Sequence, residues 1–250
     1  MKKKITAIFL CVALVAIAIA GASLAYFTDS DKATNTFTVG KVKIDLVETF
    51  TQGSKLMPGI NVNKDVFIKL EEGSSDAYVW YLWKIPADLD SIDGSTGANN
   101  ALHVNPLGRT WDQHRENEKY WVDGQTEALP LEQTWDYDPN EELNLDGPEG
   151  YLCTEKIDGV DYHVYAALYH GKLSAGQTTT QAFTKVYLDK SVNQDSGGYY
   201  QIIATGKNEG QKRYLSSLPD NAKIIVEAYG IQAEGFADVY AAYNAFQKQK

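Results

Sequence analysis

Cysteine is nearly missing from this chain. Its 250 residues include two, Cys11 and Cys153. Cys11 lies in an N-terminal apolar run. If that run is removed, Cys153 stands alone and no intramolecular disulfide framework can form. Cys153 is then either a small buried side chain, as reduced cysteine commonly is, or a thiol that pairs between chains. Positive charge is also scarce: 23 Lys+Arg face 33 Asp+Glu, for a formal net charge of -10. Lys2, Lys3 and Lys4 belong to the same N-terminal run, so the remainder is more acidic still. Without clustered Lys/Arg there is no electrostatic route to a phosphate backbone, and nucleic acid is excluded as a partner. The acidic balance favours solubility and slows random association. With 20 glycines and 7 prolines, collagen-like and low-complexity classes are excluded.

Recognisable catalytic motifs are missing too. There is no HExxH helix, no GxSxG elbow, and no glycine-rich phosphate loop of the GxxxxGKS/T or GxGxxG kind. The four histidines are His103, His114, His163 and His170. His163 and His170 are seven apart, an odd spacing that puts them on opposite faces of one strand. His114-Arg115-Glu116 has an HxE shape without the PCxxC partner of zinc deaminases. All four read as surface or ordinary core histidines.

Asp136-Tyr137-Asp138-Pro139-Asn140 opens like a calcium loop. An EF-hand would need glycine at position six and glutamate at twelve, where Glu141 and Gly147 stand. Asp136, Asp138 and Glu141, with Glu142 and Asp146, remain candidates for an irregular calcium site, against the reading of a solvated acidic loop. Trp111, Trp121 and Trp135 lie near acidic residues and suit either sugar stacking or a sandwich core. The expectation is a chain with no catalytic residues, no resident metal and no cofactor.

Aromatic material is plentiful: 16 Tyr, 8 Phe and 5 Trp, within a hydrophobic fraction of 44%. That is enough for a large core and argues against global disorder. Residues 1–25 read as an export signal. Three lysines precede the apolar run Ile5–Ala20, and Ser23 and Ala25 occupy the -3 and -1 positions of a small-residue cleavage site. Cleavage would leave Tyr26 as the new N-terminus and make the mature chain extracellular. An uncleaved anchor is the alternative, since the run is close to the ~20 residues that a span needs.

Beyond residue 40 the pattern is that of strands. Val42, Ile44 and Leu46 alternate with Lys41, Lys43 and Asp45. Asn61–Leu70 alternates with Lys64 out of phase. Ala77–Ile85 is apolar on both faces, as a central strand would be, and Pro86 ends it. Further strands are expected at Val160–Leu168, Thr178–Leu188, Tyr199–Ala204 and Lys223–Ala233. Residues 87–158, rich in Asp, Asn, Gly and Pro, read as a long insertion. In the tail Glu234–Lys250, Phe236, Val239, Tyr240, Tyr243 and Phe246 recur at helical spacing, giving an amphipathic helix packed on the sheet. These elements predict an all-β, antiparallel jelly-roll-like sandwich over residues 41–250, with that insertion and a C-terminal helix.

Behind the signal, Ala25-Tyr26-Phe27-Thr28-Asp29 is followed by Asn35-Thr36-Phe37-Thr38-Val39-Gly40 and the Lys41–Leu46 strand. Leu56-Met57-Pro58-Gly59, Lys64-Asp65-Val66-Phe67, Gly73-Ser74-Ser75 and the apolar run Tyr78–Trp83 come next. In this order the segments resemble the TasA/camelysin family of secreted bacterial matrix proteins. The likeness runs from the signal to about residue 85 and is fainter at Leu173-Ser174-Ala175-Gly176 and near the C-terminus. It implies a jelly-roll subunit that forms extracellular biofilm-matrix or cell-surface fibres after a dedicated signal peptidase removes the signal. Residues 26–40 would then be the donor segment, with Tyr26, Phe27, Phe37 and Val39 as anchors. The implied partners are copies of the chain or a related fibre subunit. The signal peptidase acts during export, and the membrane is met only before cleavage. An N-terminal strand can complete a neighbour's sheet edge, and a contact that does not close on itself gives a filament. The same segment could instead pair within its own subunit or stay disordered. Because the camelysin branch carries a metallopeptidase label, a secreted hydrolase is the competing class. A carbohydrate-binding surface module is a third.

Overall fold

The structure, a computed structural model, describes residues 28–31, 42–50, 56–92, 98–106, 119–120, 129–145, 148–220 and 222–249. In chain order the strands are β1 (Thr28–Asp31), β2 (Ile44–Thr49), β3 (Val62–Asn63), β4 (Asp65–Leu70), β5 (Ala77–Pro86), β6 (Leu102–Pro106), β7 (Lys119–Tyr120) and β8 (Leu129–Pro130). They continue with β9 (Trp135–Asp136), β10 (Tyr151–Ile157), β11 (Val160–Tyr169), β12 (Phe183–Leu188), β13 (Asn193–Asp195), β14 (Gly198–Ile202), β15 (Lys212–Tyr214) and β16 (Ile225–Gln232). A one-turn helix covers Asn140–Leu143, and the C-terminal helix covers Val239–Gln247.

The main sheet runs β1-β16-β5-β11-β10, all antiparallel, with β9 extending the β10 side of β11. Strand β5 is buried at all ten positions, as its doubly apolar sequence predicts. Strand alternation explains why. Val79, Tyr81, Trp83 and Ile85 face the core shared with β2, β4 and Phe183. Tyr78, Trp80 and Leu82 face the opposite way, against the C-terminal helix. On that side Trp80 contacts Tyr243 and Phe246 at ring distances of 5.4 and 5.1 Å. Each large apolar side chain buried in this way contributes about 1.5–3 kcal/mol. The molecule is therefore an antiparallel β-sandwich with a helix as a third layer.

The second layer is built on β4. Strand β2 pairs one edge of β4, from Ile44 opposite Leu70 to Thr49 opposite Asp65. Residues 176–182 bond the other edge, for example Leu70 N–H to the Gln177 carbonyl and Ala182 N–H to that of Val66. The expected strand Thr178–Leu188 is thus split. Thr179 Oγ1 accepts from the Ile68 N–H, breaking the regular ladder, and β12 begins only at Phe183. Lys64, out of phase in the sequence, is 6% exposed and pairs with Glu48 at 2.9 Å, at the break between β3 and β4.

Two boundaries differ from the sequence expectation. The C-terminal helix starts at Val239, because Gly235 has φ +91° and Asp238 caps the helix by accepting from the Ala241 N–H at 2.8 Å. Within 87–158, the described residues include β6, β9 and β10, and β10 is an edge of the main sheet.

Candidate functional site

The N-terminal strand is short and polar, yet it occupies a defined place. β1 lies along β16, with Thr28 opposite Ile231 and Asp31 opposite Ala228. Among the described residues it is the outermost strand on that side of the sheet. Val42 and Ile44, each 3% exposed, close the core beside it. Gly230 permits this approach: a Cβ at that position would sit 3.1 Å from Ile44 Cγ2. The chain thus passes from the edge of the main sheet at Asp31 to the second layer at Val42. Of the donor segment expected at 26–40, Thr28–Asp31 pair within their own chain. The anchors Tyr26, Phe27, Phe37 and Val39 lie outside the described residues, as do the cleavage residues Ser23 and Ala25 and also His114, Trp111 and Trp121.

A groove of 550 Å³ opens on the opposite side of the sheet, between β10 and the C-terminal helix. Its walls include Leu82, Leu145, Leu152, Val164 and Tyr243. Its polar part is Lys84, whose ammonium lies 2.7 Å from Glu155 and 3.3 Å from Glu227. The Lys84 and Glu227 side chains are 4% and 8% exposed, whereas Glu155 is 47% exposed. Burial alone would lower the Lys84 pKa. Its hydrogen bond to Glu155 and the charges of Glu227 and Glu155 outweigh that and raise it. Glu227 also accepts from the Tyr229 hydroxyl at 2.7 Å. Burial pushes the Tyr243 phenol up to about 12. Cys153 lines the same groove and is exposed, which corrects the expectation of a buried thiol. It stands on an edge strand whose middle residues face solvent.

Asp136 is buried and its carboxylate is engaged, accepting from the Asp138 N–H at 3.0 Å and the Tyr240 hydroxyl at 2.7 Å. Burial and then the Asp136 charge raise the pKa of Asp138, and Glu141 adds to the rise. Burial and the Asp138 charge raise Glu149 in the same way. Trp135 is fully buried and donates its indole N–H to the Thr180 carbonyl at 3.0 Å, so it is a core residue and not a sugar platform.

The described histidines have separate neighbours. His103 lies 3.2 Å from Asp189, His163 lies 2.9 Å from Asp90, and His170 meets Thr134 at 3.0 Å and Tyr240 at 3.2 Å. Asp90 also accepts from the Tyr165 hydroxyl, and Arg213 donates to the carbonyls of Asp90 and Asn99. This network fastens the turn after β5 to β11 and β15. Among the described residues no three His, Cys, Asp or Glu side chains group in a way that could hold a metal ion.

Sequence reasoning missed the groove. Lys84 was the available signal, since a lysine inside a strand buried on both faces needs a carboxylate partner. That Glu155 and Glu227 supply it depends on strand order, which spacing does not report.

No curated protein and no solved structure matches the chain. A family model does match, over residues 1–82, and its description is camelysin metallo-endopeptidase. That stretch ends within β5 and contains every segment of the resemblance as far as Leu82, so the match is consistent with a likeness to the TasA/camelysin family over the N-terminal third of the chain.

Proposed function

We propose that this protein is a secreted structural subunit that assembles into extracellular biofilm-matrix or surface fibres by donor-strand exchange. Its N-terminal segment is donated after residues 1–25 are removed. The observation that carries this reading is the position of β1. A four-residue polar strand at the outer edge of the main sheet can be shared with, or passed to, a neighbouring copy at little cost. The ten residues between Asp31 and Val42 extend to at most ~35 Å, enough to cross to an adjacent copy. The family match supports the same reading. Signal removal would act as the trigger, because the donor segment is tethered to the membrane until it is cut.

The description of the family as metallo-endopeptidases makes peptidase activity the competing reading. The described residues do not offer a donor set for the metal that this name implies, and no metal-dependent step follows from them.

One experiment separates the two. Purified Tyr26–Lys250 is incubated at increasing concentration and sedimented, beside the same chain carrying Phe37→Asp, with casein as a test substrate. The expected result is a pelleting polymer from the first chain, none from the second, and intact casein with both. Equal pelleting of both chains would remove the donor role of Phe37. Chelator-sensitive casein cleavage would establish the peptidase instead.

A further inference from the structure

We infer that the Lys84 amine and the Glu227 carboxyl condense to an amide, with loss of water, and that Glu155 carries a proton for this step. The linkage joins β5 to β16 inside one chain. It concerns the main sheet alone and does not rest on the donor-strand reading above.

Three observations carry it. First, the reacting groups are already together. In the β5–β16 pair Lys84 stands opposite Ile225 and Leu82 opposite Glu227, so Lys84 and Glu227 are diagonal neighbours on one face. The Lys84 ammonium lies 3.3 Å from Glu227 Oε1 and 2.7 Å from Glu155 Oε2. Holding two reactants at such distances removes the entropic cost of a bimolecular step. Second, burial favours the product. The Lys84 and Glu227 side chains are 4% and 8% exposed, and two charges so placed carry a desolvation penalty. An amide replaces both with one neutral group. The charge that remains, on Glu155, is the half-exposed one. Third, each part of the reaction has a group to perform it. Tyr229 donates its hydroxyl hydrogen to Glu227 Oε2 at 2.7 Å, and its ring is stacked on Trp80. Oε2 is thus the oxygen held in place, where negative charge develops, and Oε1 is the one beside the amine.

The step balances without a co-reactant. One ammonium proton passes to Glu227 Oε1, leaving a neutral amine beside a carboxylic acid. The nitrogen lone pair attacks Cδ of Glu227 and the C–N bond forms. Glu155 takes a second proton from the nitrogen and delivers it to the Oε1 hydroxyl. The C–O bond breaks, water leaves and Glu155 is again ionised. Nothing is oxidised or reduced. Burial lowers the Lys84 pKa, but the two carboxylates raise it by more, so the first transfer is infrequent. A reaction needed once per chain tolerates that. Cys153 is the only cysteine among the described residues, so no disulfide joins strands there. The amide would supply the missing cross-link at the centre of the sheet.

The test is intact-mass spectrometry of purified, folded Tyr26–Lys250, followed by peptide mapping. The expected mass is one water below that of the sequence, with a branched peptide joining Lys84 to Glu227. Lys84→Arg keeps a cation between the carboxylates, and its guanidinium is not expected to acylate, so this variant should show the full sequence mass. Glu155→Gln cannot carry the proton and is expected to slow linkage about a hundredfold. The full sequence mass in the folded, unmodified chain would overturn the inference. So would a water loss that persists in Lys84→Arg, or a branched peptide ending at Glu155. The mapping of the unmodified chain decides the question even if a variant fails to fold.

Discussion

Lys84 shows how a single residue ties the sheet to its surroundings. Its side chain is 4% exposed and bonds carboxylates on two other strands, Glu155 of β10 and Glu227 of β16. Replacing it by methionine keeps the stem but leaves Glu227 buried beside no ammonium. Lys84→Met is therefore expected to destabilise the fold by about 3 kcal/mol, read as a lower denaturant midpoint with an unchanged slope. A stability equal to that of the unmodified chain would mean that Glu227 is solvated after all. Asp138 gives a prediction of the opposite sign. Its pKa is raised above the ordinary 3.8, by burial first and by the Asp136 charge second. An acid that holds its proton more tightly when folded costs stability as pH rises through the interval between its unfolded and folded values. That stability returns on acidification. Asp138→Asn keeps an acceptor for the Asn140 and Gly150 N–H groups and removes the charge. The melting temperature of this variant is expected to change less between neutral pH and about pH 4, near the ordinary carboxylate value, than that of the unmodified chain. An identical pH profile would contradict the assignment.

At the scale of elements, the sequence was most legible where one rule acted alone. Strand β5 followed from its unbroken apolar run, and the C-terminal helix from apolar residues at helical spacing. The start of that helix was less legible, since the same spacing extends back to Phe236 while the backbone at Gly235 and the Asp238 cap do not. Asp238→Ala removes the acceptor of the Ala241 N–H. It is expected to cost about 0.5–2 kcal/mol, with the loss concentrated in hydrogen-exchange protection of Val239–Gln247. Uniform loss over the whole chain would show that the helix has no stability of its own to lose. Strand β10 was hidden inside a stretch that looked irregular, although Ile157-Asp158-Gly159-Val160 carries a two-residue hairpin signal. The structure uses it, with Asp158 at φ 50° and Gly159 at φ 84°. In the acidic loop, local spacing said little about the partners of its carboxylates. Asp136, Asp138 and Glu141 share a calcium-like spacing, but Tyr240 on the distant C-terminal helix claims Asp136. A contact more than one hundred residues away leaves no trace in local spacing.

For the whole molecule, the arrangement of layers decides what is available for assembly. The second layer packs on one face of the main sheet and the helix on the other, where the groove beside β10 is left uncovered. What the main sheet still offers, among the described residues, are its two outer strands, β1 and β10. Exposed edges invite strand addition, and edges at opposite sides of one sheet favour a chain of subunits over a closed pair. The acidic surface, with a net charge of -10, opposes random association and leaves specific edge contacts as the route to polymers. Camelysin-family similarity covers the segment that would be donated, whereas β10 and the C-terminal helix lie beyond residue 82.

The most direct measurement of this account is negative-stain electron microscopy of purified Tyr26–Lys250 beside Lys41–Lys250 at equal concentration. Fibres from the longer chain alone, with the shorter one monodisperse, are the predicted result and locate assembly in residues 26–40. Monodisperse particles from both chains, or fibres from both, would contradict it.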